Sequence, residues 1–169
     1  MYFDTYECPF SRIIMLSNAK NLIGLYFQTQ QHFEKLQTQS QQKDLEIFRQ
    51  TKAWLDSYFS GKSPSFSPSL ELDSTSFRLR VWQILQKIPK GQTTTYKQIA
   101  KIIAQERGIA KMSAQAVGGA VGANPISIII PCHRVIGTNQ SLVGYAGGMD
   151  IKMKLLELEG IDISLLKAH

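Results

Sequence analysis

One of only two cysteines in this 169-residue chain stands beside a histidine, in Pro131-Cys132-His133-Arg134-Val135. A thiolate is the nucleophilic form of cysteine, and a neighbouring imidazole can take the thiol proton. The apolar run Ile126-Ser127-Ile128-Ile129-Ile130 precedes it and reads as a buried strand. Pro131 then removes a backbone donor and favours an extended chain. That places Cys132 where a strand ends and the chain turns, held rigidly yet able to face a pocket. The competing reading is a buried small hydrophobe, the commoner fate of a cysteine. The elements around the motif have to decide between them.

Those elements fall into two halves. Residues 1–72 carry seven basic and seven acidic side chains, and residues 73–169 carry twelve and six, so the whole net charge of +6 lies in the second half. A basic domain joined to a neutral one points to a polyanionic partner. Two cysteines make neither a disulfide framework nor a metal cluster, which fits a reducing cytoplasm. No transmembrane stretch and no secretion signal is expected.

In the first half, Ile13–Leu16 and Ile23–Phe27 read as a hairpin, with turn signals at Asn18 and Asn21. Leu45, Phe48, Trp54, Leu55, Tyr58 and Phe59 form a helical apolar stripe that Gly61 ends. The segment Ser63–Ser69 is rich in proline and serine, and a domain boundary is placed near residue 72. In the second half, Ser76 precedes a helix carrying Phe77, Val81, Trp82 and Leu85. A second helix spans Lys97–Ala104, and a third, capped by Ser113, runs to Val121. A last helix from about Asp150 to Glu159 buries Ile151, Leu155, Leu156 and Leu158. The third helix contains Gly118-Gly119, and each glycine costs it about 1 kcal/mol against alanine. A slim helix suits either close packing or entry into a groove. Paired with the helix before it in a basic domain, it reads as a helix-turn-helix, with Lys97, Lys101, Arg107 and Lys111 within reach of phosphates.

The second half closely resembles the O6-alkylguanine-DNA alkyltransferases, the methylated-DNA–protein-cysteine methyltransferases. The resemblance rests on Phe77–Trp82, Ile88-Pro89-Lys90-Gly91-Gln92-Thr93, Tyr96, Ala116-Val117-Gly118-Gly119-Ala120, Asn124-Pro125, Ile130–Val135, Gly144-Tyr145-Ala146-Gly147-Gly148 and Leu155–Gly160. It covers most of residues 77–160 in the family's order, and the first 72 residues fit only in general shape. It implies an α/β (α+β) fold: a small N-terminal sheet-plus-helix domain, 1–72, and a mainly helical domain, 73–169, with a helix-turn-helix and a short active-site strand.

The resemblance further implies a single-turnover DNA repair enzyme. Double-stranded DNA would be bound, an alkylated guanine flipped out, and its alkyl group passed irreversibly to Cys132. His133 would be the base, Glu159 its orienting carboxylate, and Tyr96 a hydroxyl donor to the guanine ring. Asn124, Val135, Tyr145, Ala146 and Gly147 would border the base, with backbone amides facing the departing oxygen. Gln115, Ala116, Gly118, Gly119 and Arg134 would meet DNA, Arg134 having a structural reading as well. Gln115 stands where many members carry an intercalating arginine, and the link Gln105–Met112 is longer than the usual tight turn. Cys8 and His32 do not supply four zinc ligands, so neither metal nor cofactor is expected. A cytoplasmic monomer without membrane attachment or obligate protein partner is expected. An alkyltransferase-like protein that binds damage without transfer is the alternative, which Cys132 opposes. O4-alkylthymine is open as a second lesion.

Overall fold

In the computed structural model, which describes residues 1–168, strands β1 (Tyr2–Cys8), β2 (Ser11–Ser17) and β3 (Leu22–Phe27) form an antiparallel meander. The expected hairpin is β2–β3, with Ile13 opposite Phe27 and a register shift at Leu16/Ser17. β1, which the apolar pattern alone did not reveal, pairs with β2 over its whole length, from Tyr2 opposite Ser17 to Cys8 opposite Ser11. After helix α1 (Phe33–Thr38), the short β4 (Gln41–Gln42) adds a parallel edge beside β1, giving the order β3-β2-β1-β4. Helix α2 (Glu46–Phe59) buries Ile47, Phe48, Thr51, Trp54, Leu55 and Tyr58, a stripe at helical spacing that lies against the sheet. Lys52 and Asp4 tie helix to strand at 2.6 Å.

The chain divides into two units, Met1–Leu72 with Pro125–Ile129, and Asp73–Asn124 with Ile130–His169. Five residues of the expected second domain therefore belong with the first. Leu25 N–H donates to the Pro125 carbonyl (2.8 Å), and Ser127 N–H donates to the Leu25 carbonyl (3.0 Å). Here the expected strand Ile126–Ile130 is corrected. Only Ile126 bridges β3, and the chain then folds into a three-residue turn closed by Ile129 N–H on the Ser127 carbonyl (2.8 Å), with Ile128 at φ +70°. A buried run of β-branched residues satisfies its burial in tight turns as well as in a ladder, and periodicity does not separate the two.

In the second unit, helix α3 (Ser76–Leu85) is capped by Thr75, one residue before the expected Ser76. The two-residue strand β5 (Thr94–Thr95) runs into helix α4 (Tyr96–Arg107) through a full capping box of Thr95 and Gln98, and Gly108 ends α4 in the left-handed region at φ +64°. Helix α5 (Ala114–Gly122) is capped by Ser113, as read from the sequence. Trp82 Nε1 donates to the Ala120 carbonyl at 2.8 Å and fastens α5 to α3. Strand β6 (Val135–Ile136) pairs with β5, and β7 (Ser141–Leu142) pairs with β8 (Lys167–Ala168). Helix α6 (Met149–Leu158) buries Ile151, Leu155 and Leu156 but also Lys152, and Leu158 is only half-buried.

Between β6 and β7 the chain reverses through Asn139 (φ +56°) and Gln140 (φ +59°), with Ser141 N–H on the Thr138 carbonyl. Positive φ at both central residues defines a type I′ turn, which prefers glycine in the second place. Gln140→Gly is expected to raise stability by about 1 kcal/mol by removing the left-handed penalty of a side chain. Thermal or denaturant unfolding checks it, and an unchanged midpoint contradicts it.

Candidate active site

Cys132 is placed by backbone geometry set one residue earlier. Pro131 sits at φ −81°, ψ +63°, and Cys132 N–H closes back on the Ile130 carbonyl at 2.8 Å, an inverse γ-turn for which the proline ring is preset. Cys132, His133 and Arg134 then form one 3₁₀ turn, closed by Val135 N–H on the Cys132 carbonyl. Asn124 Nδ2 donates to the Ile130 carbonyl at 2.8 Å, and the Asn124 side chain also hydrogen-bonds the thiol. One buried amide thus joins the end of α5 to Cys132.

Burial pushes the Cys132 thiol up, while Asn124 and the nearby Lys152 ammonium pull it down; the net direction is up. The resting group is therefore a thiol that needs a base. His133 is completely buried, and burial holds it below the ordinary histidine value against the opposing pull of Glu159. Its Nε2 lies 2.7 Å from Glu159 Oε1, and its Nδ1 is buried without a hydrogen-bond partner. A carboxylate only accepts, so Nε2 carries the proton and Nδ1 keeps its lone pair. The histidine is held as the tautomer that can accept a proton.

Arg134, expected among the DNA contacts, is committed elsewhere. Its Nε and Nη2 donate to the two Glu159 oxygens at 2.9 and 2.8 Å, and its Nη1 donates to the Ile88 carbonyl at 2.6 Å. A guanidinium gripped in this bidentate way orients Glu159. Burial alone would raise the Glu159 carboxyl, but His133 and Arg134 overrule it and hold the group well below the usual carboxylate range.

Lys152 was missed in the sequence. It is fully buried, and its Nζ donates to the carbonyls of Val135 (2.6 Å), Val143 (2.9 Å) and Gly144 (3.3 Å). It therefore pins the loop carrying Tyr145, Ala146 and Gly147 to the strand leaving Cys132. The signal was present: 152 lies on one helical stripe with Leu155, Leu156 and Glu159. Tyr96, the first residue of α4, is half-buried, and burial and the neighbouring Cys132 raise its hydroxyl.

Of the two uses for a slim helix, the structure favours the open one. Gln115, Ala116, Gly119 and Gly122 share the exposed face of α5, and a Cβ built on Gly119 or Gly122 meets nothing within 4 Å. At Gly118 a Cβ would lie 3.8 Å from the Tyr96 ring, an ordinary contact. Gly119→Ala is expected to stabilise the fold by about 0.5–1 kcal/mol while weakening DNA binding. Melting and duplex titration read the two effects, and unchanged affinity would reject groove entry by this face.

A buried thiol, an imidazole with a free lone pair and a carboxylate, set beside a helix-turn-helix, are one constellation. A family model described as "6-O-methylguanine DNA methyltransferase, DNA binding domain" matches residues 76–161, and one described as "6-O-methylguanine DNA methyltransferase, ribonuclease-like domain" matches residues 1–73. The chain belongs to this methyltransferase family. The methylated-DNA–protein-cysteine methyltransferase of Methanosarcina barkeri is 43% identical over 160 residues, 94% of this chain and 97% of that protein. Its namesake from Haemophilus influenzae is 35% identical over 162 residues, 95% and 87% of the two chains. A crystal structure of Mycobacterium tuberculosis OGT in complex with DNA superposes with a TM-score of 0.81 at 36% identity, covering 98% of this chain and 95% of that one.

Proposed function

We propose that this chain is a DNA repair protein that takes the alkyl group from O6-alkylguanine in duplex DNA onto Cys132, once per molecule. The observation that carries this reading is the His133–Glu159 contact, which leaves Nδ1 the only basic position on the ring. Cys132 Sγ attacks the alkyl carbon, a carbon–sulfur bond forms and the carbon–O6 bond breaks. The thiol proton passes to His133 Nδ1 through a water molecule and finally to the guanine, so that a thiol and an alkoxy-purine become a thioether and guanine. Glu159 balances the transient imidazolium, and Arg134 holds Glu159 in place. The Tyr96 hydroxyl donates to the guanine ring, and its raised pKa keeps it a donor at neutral pH. The carbonyls of Cys132 and Val135 each already accept one hydrogen bond, and a second lone pair on each meets the exocyclic amine. The amides of Tyr145 and Ala146 face the departing oxygen. Gln115 and the small residues of α5 enter the minor groove.

The protein acts as a monomer in the cytoplasm, where Cys132 stays reduced. Among the described residues no helix is long and apolar enough to cross a membrane.

The test is an intact-protein mass after mixing with a duplex bearing one O6-methylguanine. A single methyl per protein, located on the peptide containing Cys132, with guanine restored in the duplex, is the expected result. Tight binding without a mass gain would turn the reading to a damage-binding protein.

A further inference from the structure

The long connection between α4 and α5 builds a groove. About 660 Å³ in volume, it is lined on one side by the α4 residues Tyr96, Lys97, Ala100, Lys101, Ala104 and Gln105, and on the other by residues 109–112 with Ala114. The left-handed Gly108 turns the chain back along the helix and makes the second wall. Its floor is apolar: Ala100 and Ala104 are buried, and Ile109 is 45% exposed. Lys97, Lys101 and Lys111 stand around it, all exposed, and no acidic residue lines it. None of the three lysines forms an ion pair among the described residues; the nearby Glu106 is taken by Arg80.

The geometry points to a seat for the sugar–phosphate backbone of one DNA strand beside the lesion, with phosphates on Lys101 and Lys111 and deoxyribose on the apolar floor. The inference rests on the proposed DNA repair function and extends it. Three cations and no acid select a polyanion. Continuity selects DNA over an acidic protein: the groove starts at Tyr96, next to the nucleophile, and includes the first residue of α5, whose open face is offered to the minor groove. Tyr96 to Gln105 spans roughly 13 Å at ~1.5 Å per residue. The lengthened connection therefore adds strand contacts away from the flipped base, and these fix register rather than read sequence.

The experiment is a salt titration of duplex binding, using a long duplex with one O6-methylguanine, for the natural chain and for Lys101→Ala/Lys111→Ala. Counterion release predicts that the slope of log K against log salt becomes shallower by about 0.9 for each lysine removed. Ile109→Asp, an exposed position where folding is not at stake, is expected to weaken binding roughly two- to fivefold at physiological salt. Methyl transfer by the natural chain is read by mass in the same samples. An unchanged slope in the double variant, with transfer by the natural chain intact, overturns the seat and leaves the repair function standing. Absence of both binding and transfer in the natural chain overturns both.

Discussion

Glu159→Gln is expected to slow alkyl transfer about 10²–10⁴-fold while leaving duplex affinity near its original value. The size follows from the tautomer. Glu159 Oε1 lies 2.7 Å from His133 Nε2, so the proton sits on Nε2 and Nδ1 is the base. An amide can present its N–H₂ to Nε2 instead, which moves the ring proton to Nδ1 and removes the acceptor. Arg134 also loses its carboxylate partner and keeps one neutral amide oxygen in its place, and breaking a buried ion pair from one side costs about 3–5 kcal/mol. Affinity is spared because the Glu159 side chain is fully inaccessible. Acid titration gives an independent check. The folded carboxyl titrates well below its ordinary 4.5, so its contribution to stability is present above about pH 4.5 and is lost as the pH falls further. The stability gap between the natural chain and the variant should therefore close below that pH. His133, buried neutral, adds a loss of stability common to both as the unfolded chain protonates below about 6.5. A variant that transfers within tenfold of the natural rate would show that Glu159 is only a structural partner of Arg134.

How far these groups could be read in advance depended on how local their determinants are. The helix-turn-helix was legible because the cap of its second helix is local, Ser113 with Ala116, whereas the capping box of Thr95 and Gln98 that starts its first helix at Tyr96 was not read. Cys132 and His133 were legible because the chemistry lies in neighbouring side chains. For Arg134 the sequence left a DNA contact and a structural role side by side, because its partners, Glu159 and the Ile88 carbonyl, stand 25 and 46 residues away. Only the tertiary fold turns a basic side chain that could meet DNA into the clamp of a carboxylate. Ile126–Ile130 was misread for a different reason. Burial on all sides erases the alternation that marks a strand, and the left-handed turn at Ile128 runs against its β-branched side chain. The bridges from Leu25 to Pro125 and Ser127 are what hold that turn, and they are long-range.

Lys152→Met is expected to lower stability by about 3 kcal/mol and transfer about a hundredfold. Methionine keeps the length and packing but offers no donor, so the carbonyls of Val135, Val143 and Gly144 lose a shared partner inside the protein. Removing a buried charge returns part of that loss, which keeps the cost below the sum of three orphaned acceptors. The rate falls for two reasons. The loop bearing Tyr145 and Ala146 loosens, and the thiol loses the cation that helps pull its pKa down. The pH profile separates these. Burial pushes Lys152 down to about 8, against the opposing pull of Cys132, so the natural chain loses the ammonium as the pH rises past that point. Its transfer rate should fall above about pH 8, and the methionine variant should lack that limb. Unfolding does not imitate this effect. With the folded value near 8 and the ordinary value at 10.5, the unfolded chain binds the extra proton between them, so the contribution of Lys152 to stability rises across that interval. A rate that drops while the fold holds identifies the ammonium as an electrostatic partner of the nucleophile. A flat alkaline limb in the natural chain would reduce Lys152 to a loop anchor.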